Sequence, residues 1–126
     1  MYAARMHGRD VAAKVLHAEL ALSDKERARF FDEADRMRRV QHPALVPLVD
    51  VGVLPDGRPC LVMPLLSGEV LADRVARGPI PLEQALALLN DLAGAVDALH
   101  AAGLVHRDVK PENAMAIHGG RHAVLL

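Results

Sequence analysis

The 126 residues contain no tryptophan, one tyrosine and two phenylalanines. With aromatics at 2%, any core must be built from leucine, valine and alanine. Cys60 is the single cysteine, which excludes an intrachain disulfide and a thiolate cluster for a structural metal. No apolar run approaches the roughly 18 residues that span a bilayer. Met1-Tyr2-Ala3-Ala4-Arg5 has no apolar signal-peptide segment, and a cytoplasmic location is expected. The net charge of −1 gives no reason to expect binding to nucleic acid or to an anionic membrane. Histidines 118 and 122 are four apart but flank a Gly-Gly turn rather than sharing a helix face, so no metal box is expected. What is present is 52% hydrophobic, enough for one modest domain with a core. Arginine outnumbers lysine twelve to three and alanine is abundant, a bias expected of a GC-rich bacterial genome.

Along the chain, Asp10 to Leu16 reads as a strand through β-branched Val11 and Val15. Ser23-Asp24-Lys25-Glu26 is a capping box, and predicts a helix from Asp24 to about Arg39 with Phe30, Ala34, Met37 and Val40 on its inner face. Leu48 to Leu54 and Pro59 to Met63 read as a hairpin around Pro55-Asp56-Gly57. Pro64 to Gly68 interrupts the pattern as a linker. A short helix is expected from Leu71 to Ala76, and a long one from Leu82 to about Ala101, with Pro81 at its start and Gly103 past its end. Extended pieces follow at Leu104-Val105, Ala114 to Ile117 and Ala123 to Leu126. His118-Gly119-Gly120-Arg121 turns the last two into a hairpin.

Three patterns carry chemistry. The most specific is His106-Arg107-Asp108-Val109-Lys110-Pro111-Glu112-Asn113, which fits H-R-D-x-x-x-x-N. The second is Val11-Ala12-Ala13-Lys14, weak alone, since a lysine snorkelling off a strand explains it equally. Glu33 adds weight: it lies three residues after Phe30 and four before Met37, on the apolar face of the capped helix. A carboxylate buried without a partner is costly, and Lys14 is the natural partner unless Glu33 sits at the edge of the face. The third is Cys60-Leu61-Val62-Met63 running into Pro64-Leu65-Leu66.

Together these residues resemble the catalytic domain of bacterial-type serine/threonine protein kinases, from the fold's second strand to its eighth. The resemblance implies an α+β, protein-kinase-like fold. A partial small lobe of antiparallel strands and the family's helix C would span residues 1–63. A hinge at 64–68 would join it to the start of a helical large lobe at 69–126. It implies that Asp108 accepts the proton of a substrate hydroxyl and that Lys110 neutralises the transferring phosphoryl group. Asn113 would offer an oxygen to Mg²⁺, His106 would scaffold the loop, and Arg107 would pair with an activation-loop phosphate. Lys14 and Glu33 would form the family's lysine–glutamate ion pair, with Lys14 on the nucleotide's phosphates. Ala12 and Met63 would line the adenine slot with Val11, although a plain core role fits each. Pro64 stands where many relatives have glutamate. Proline lacks an N–H, but the family uses the carbonyl there and the N–H two residues on, at Leu66. His42-Pro43 matches a structural His-Pro pair.

The implied cofactors are ATP and Mg²⁺, and the implied partner is a protein presenting serine or threonine. The resemblance covers about half of a kinase domain. It lacks the glycine-rich loop expected before Tyr2 and the D-F-G motif expected after Leu126. An incomplete, inactive fragment is therefore expected. The alternative is a non-catalytic, pseudokinase-like module binding nucleotide or a partner kinase. The helix from Leu82 to Ala101 is apolar almost all round, which predicts self-association where nothing covers it.

Overall fold

The structure is a computed structural model that describes residues 1–15 and 23–126. The expectation for Leu16, the last residue of the first predicted strand, lies outside the described residues. Contacts divide the chain into two units: Met1–Arg39 with Pro47–Leu65, and Val40–Val46 with Leu66–Leu126.

The first unit is built on an antiparallel sheet of order β1-β2-β4-β3. Its strands are β1 (Tyr2–Met6), β2 (Arg9–Val15), β3 (Asp50–Val53) and β4 (Pro59–Pro64). β1 carries no apolar alternation and is exposed along most of its length, so pairing to β2 defines it rather than a pattern of its own. Val11, Cys60 and Val62 form the core, with Met6, Val15 and Leu54 packed against it. The turn joining β3 to β4 closes as expected: Gly57, at φ +85°, donates its N–H to the Leu54 carbonyl at 2.8 Å.

Helix α1 (Asp24–Met37) starts at the anticipated box. The Ser23 hydroxyl oxygen accepts from the Glu26 N–H at 3.1 Å and donates to the Glu26 carboxylate at 2.7 Å. Its inner face is thinner than the periodicity suggested, because Ala34 alone is buried.

The second unit holds a three-stranded antiparallel sheet of order β5-β6-β7, comprising β5 (Gly68–Val70), β6 (Ala114–Ile117) and β7 (His122–Leu125). Helices α2 (Leu71–Ala76) and α3 (Leu82–Ala101) have the predicted bounds. β5 lies where the linker was expected to end. Gly68 is required there, since a Cβ would fall inside contact distance of the Ala116 carbonyl oxygen on β6. Leu71, Leu88, Ala114 and Ala123 form a core cluster joined by Ile80 and Leu92. Ala95, Leu99 and Leu125 are also almost wholly buried.

α3 ends in a Schellman motif. Gly103, at φ +72°, donates to the His100 carbonyl at 2.9 Å, and Leu104 donates to Leu99, also at 2.9 Å. Leu104-Val105 is thus no strand; Leu104 is the buried apolar residue that closes the helix end. α3 buries one stripe through Leu88, Ala95 and Leu99. It leaves another uncovered, with Leu82, Leu86 and Leu89 at 75%, 58% and 61% exposed.

The segment Val40–Val46 runs beside β7. Leu125 donates to the Ala44 carbonyl at 2.8 Å, and Val46 donates to the Leu125 carbonyl at 2.9 Å. His42 accepts from the Ala44 N–H through Nδ1 at 3.1 Å, which gives the His-Pro pair its structural role. Among the described residues no helix is long and apolar enough to cross a membrane.

Candidate active site

The loop after α3 presents its functional side chains through the backbone around it. Pro111–Asn113 forms one 3-10 turn, with the Asn113 N–H bonded to the Lys110 carbonyl at 2.9 Å. Arg107 sits at φ +64°, a conformation an L-residue adopts at a cost of about 1 kcal/mol or more. The next residue past β7 ties the loop down. The Leu126 N–H donates to the Asn113 carbonyl at 2.8 Å, and the Leu126 carbonyl lies 3.0 Å from His106 Nε2. A carbonyl can only accept, so Nε2 carries the proton. His106 Nδ1 is buried without a hydrogen-bond partner among the described residues. Among the described residues the imidazole's hydrogen bond is the one to Leu126.

Asp108 is the centre of the constellation. One carboxylate oxygen lies 2.9 Å from the Lys110 ammonium, and the other accepts from Asn113 Nδ2 at 2.6 Å. The same Nδ2 also donates to the Asp108 backbone carbonyl at 2.8 Å. Both partners are acceptors, which fixes the amide: its nitrogen faces Asp108 and its oxygen is turned away. Asn113 is 8% exposed, the single buried polar residue among the described residues, whereas Asp108 and Lys110 are half open to solvent. A carboxylate open to a substrate, a cation beside it, and an oxygen donor held rigidly are what positioning-based phosphoryl transfer uses.

The Asp108 hydrogen bond and charge hold the Lys110 amine above the ordinary lysine value; Glu112 adds slightly and solvent loss opposes. Because the pKa is raised in the folded chain, the pair's contribution is complete below the ordinary lysine value and fades as pH rises through the higher folded one. Lys110 is expected to stay protonated beyond the pH at which a free lysine titrates. Side-chain NMR titration checks this, and Asp108→Asn should return the midpoint toward the ordinary value.

In the first unit, the β2–β4 register sets Ala12 directly opposite Met63, and both are buried. Val11 pairs with Pro64 and Lys14 with Leu61. Pro64 closes β4 and is half-buried, as is Leu66 in the second unit. Lys14 is half-buried and not without a partner, but no ion pair joins it to Glu33 among the described residues. Glu33 is only half-buried, so solvent supports its charge and the pairing is not forced.

No group of three His, Cys, Asp or Glu side chains is placed to hold a metal ion among the described residues. A groove in the second unit runs along α3, lined by Leu89, Ala93, Val96, His42 and His118, and takes in only Val109 of the loop. The chemistry therefore lies outside that groove.

Comparison with known sequences decides the family. The protein kinase domain model matches residues 2–122. The chain belongs to the protein kinase family. It is 44% identical over 114 residues to the serine/threonine-protein kinase pkn2 of Myxococcus xanthus, covering 90% of this chain and 14% of that protein. It is 42% identical to PknL of Mycobacterium tuberculosis, covering 89% of this chain and 28% of that one. The crystal structure of the M. tuberculosis PknI kinase domain superposes with a TM-score of 0.84 at 31% identity, over 98% of this chain and 52% of that one. The kinase fold expected from the motifs is thus the observed one. The chain spans about half of that solved kinase domain and a smaller share of these curated relatives.

Two contributions to the kinase loop had no sequence signal. The direction of the Asn113 amide is set by the backbone carbonyl and carboxylate of Asp108 together, and the anchoring by Leu126 comes from its backbone groups alone.

Proposed function

We propose that this chain carries the substrate-side machinery of ATP-dependent phosphorylation of protein serine or threonine. The observation that supports it best is the Asp108–Lys110–Asn113 constellation. Asp108 accepts the proton of the attacking hydroxyl, and Lys110 offsets negative charge on the group in transfer. Asn113 would hold Mg²⁺ through its oxygen, and Mg²⁺, when bound, would supply neutralisation of phosphate charge. His106 keeps the loop in place, and Arg107 receives a phosphate from an activation segment. On the nucleotide side, Lys14 engages ATP phosphates, with Glu33 as its partner in the nucleotide-bound form. Ala12 and Met63 line the adenine slot, and Pro64 and Leu66 offer hinge backbone. The lobes follow residues 1–63 and 69–126 with a hinge at 64–68, and the chain works in the cytoplasm.

The 126 residues alone are expected to transfer phosphate at background rates, because Asn113 supplies one metal oxygen and no cluster of acidic ligands adds to it among the described residues. Incubation with labelled ATP, Mg²⁺ and a generic protein substrate tests this. Transfer that Asp108→Asn abolishes would overturn the expected inactivity and establish the kinase reading directly. The second reading is a nucleotide- or partner-binding module without catalysis. Tight ATP binding that ignores Mg²⁺ supports that reading.

Self-association through α3 is also proposed, because its uncovered leucines form an apolar stripe at helical spacing. Light scattering should show mass rising with concentration. A constant monomer mass at high concentration would sink the proposal.

A further inference from the structure

Asp91, on the solvent-poor side of α3, belongs to no motif. Its carboxylate oxygen Oδ2 accepts from the Ala123 backbone N–H at 3.0 Å and from His122 Nδ1 at 3.2 Å. The side chain is 25% exposed, and Ala123 is almost wholly buried. These bonds attach the first two residues of β7 to the helix. The far end of the same strand leads into Leu126, whose N–H and carbonyl hold Asn113 and His106.

Between the ends the strand has little freedom. β6 pairs along one edge, from Ala114 opposite Leu125 to Ile117 opposite His122. Ala44 and Val46 bond Leu125 from the other edge. Four extended residues span roughly 13 Å, so a shift at Ala123 has no slack in which to dissipate before Leu126.

We infer that Asp91 is a positioning residue for the catalytic loop. It fixes where β7 begins on α3, and β7 carries that placement to the Leu126 peptide that orients His106 and Asn113. Asp91 touches no reacting atom. The bland alternative is a partly buried carboxylate satisfied by nearby donors, with no influence past Ala123. The inference rests on reading residues 106–113 as the catalytic loop, but its test needs no transfer activity. A failed transfer assay bears on that reading and leaves the clamp standing.

Hydrogen exchange of the full chain, read by mass spectrometry on peptides, separates the alternatives. Asp91→Ala should speed exchange about tenfold or more at the start of β7, the scale set by losing one hydrogen bond to a charged acceptor. The segment 106–113 and Leu126 should speed up with it, while the interior of α3 keeps its protection. Asp91→Asn, whose carboxamide oxygen still accepts from Ala123, should restore most of the protection. Faster exchange confined to residues 122–124, with 106–113 unchanged, would overturn the inference. So would equal acceleration everywhere including α3, which marks general destabilisation. If Asp91→Ala does not fold, Asp91→Glu keeps the charge and lengthens the arm by one methylene. It should perturb 106–113 selectively, and an unchanged loop in that variant overturns the inference equally.

Discussion

Replacing Asn113 with aspartate is expected to be the most damaging single-atom-scale change in the loop. Asn113 donates from one nitrogen to the backbone and carboxylate oxygens of Asp108, and it is buried. Aspartate has the same shape but, ionised, no donor. It would place a second carboxylate against Asp108 at a distance now closed by a 2.6 Å hydrogen bond. Two carboxylates at that separation cannot both ionise freely, so one titrates upward. The loss at neutral pH should be about 3 kcal/mol, combining a lost bond to a charged group with the desolvation of an unpaired one. The sign with pH follows. A carboxyl group whose folded pKa is raised destabilises the fold progressively as pH rises from its unfolded pKa to its folded one, so the deficit should shrink as the solution is acidified toward pH 4. Asn113→Ala lacks the repulsion. It should cost about 2 kcal/mol and show no such recovery. Urea midpoints measured at several pH values distinguish the two, and an aspartate variant with a pH-independent deficit would contradict the assigned amide direction.

Leu99→Ala is expected to unfold most of the second unit at modest denaturant. Leu99 is 1% exposed in α3, and its carbonyl also receives the Leu104 N–H that closes the helix. Truncating a fully buried leucine costs about 3–5 kcal/mol, depending on how far the surroundings collapse. Against a total of about 5–15 kcal/mol for a domain, that is a large share. Leu86→Ala, on the uncovered stripe of the same helix, should change stability by less than about 0.5 kcal/mol. Paired urea curves give the comparison. Equal losses would mean that the two stripes are not buried so differently.

The contrast between these two leucines shows where sequence reading reached its limit. α3 was legible to the residue because both ends carry backbone chemistry: a proline that suits a first turn and a glycine that takes positive φ. Which of its faces is covered was not legible, since leucines 82, 86, 88 and 89 are chemically identical and only the neighbours differ. β5 escaped notice for a related reason. Three residues beginning with glycine look like a linker, and their strand character comes from β6, more than forty residues later in the chain. Periodicity puts Glu33 on the apolar face of its helix, where α1 buries one alanine and leaves Glu33 half-buried. Residues 106–113 stood out in the sequence as a set of particular side chains at fixed spacing, and the structure brings Asp108, Lys110 and Asn113 of that set together. The bonds that hold them did not stand out, because Leu126 acts through its peptide groups and would do so as almost any residue.

The closure at the end of α3 has a further consequence, for chain length rather than composition. From Leu99 to Leu104 the motif counts residues: two amides bond back to carbonyls at fixed offsets, and one glycine turns the chain. His106 follows two positions after the buried Leu104. A one-residue insertion or deletion between Ala101 and Val105 would rotate or displace every side chain of the loop while leaving each of them chemically intact. The turn at Pro55-Asp56-Gly57 lies at the surface of a hairpin, and lengthening it disturbs only its own closure. Reading-frame-preserving changes in length are thus expected to be tolerated at one turn and ruinous at the other, a difference that no scan of single substitutions would expose.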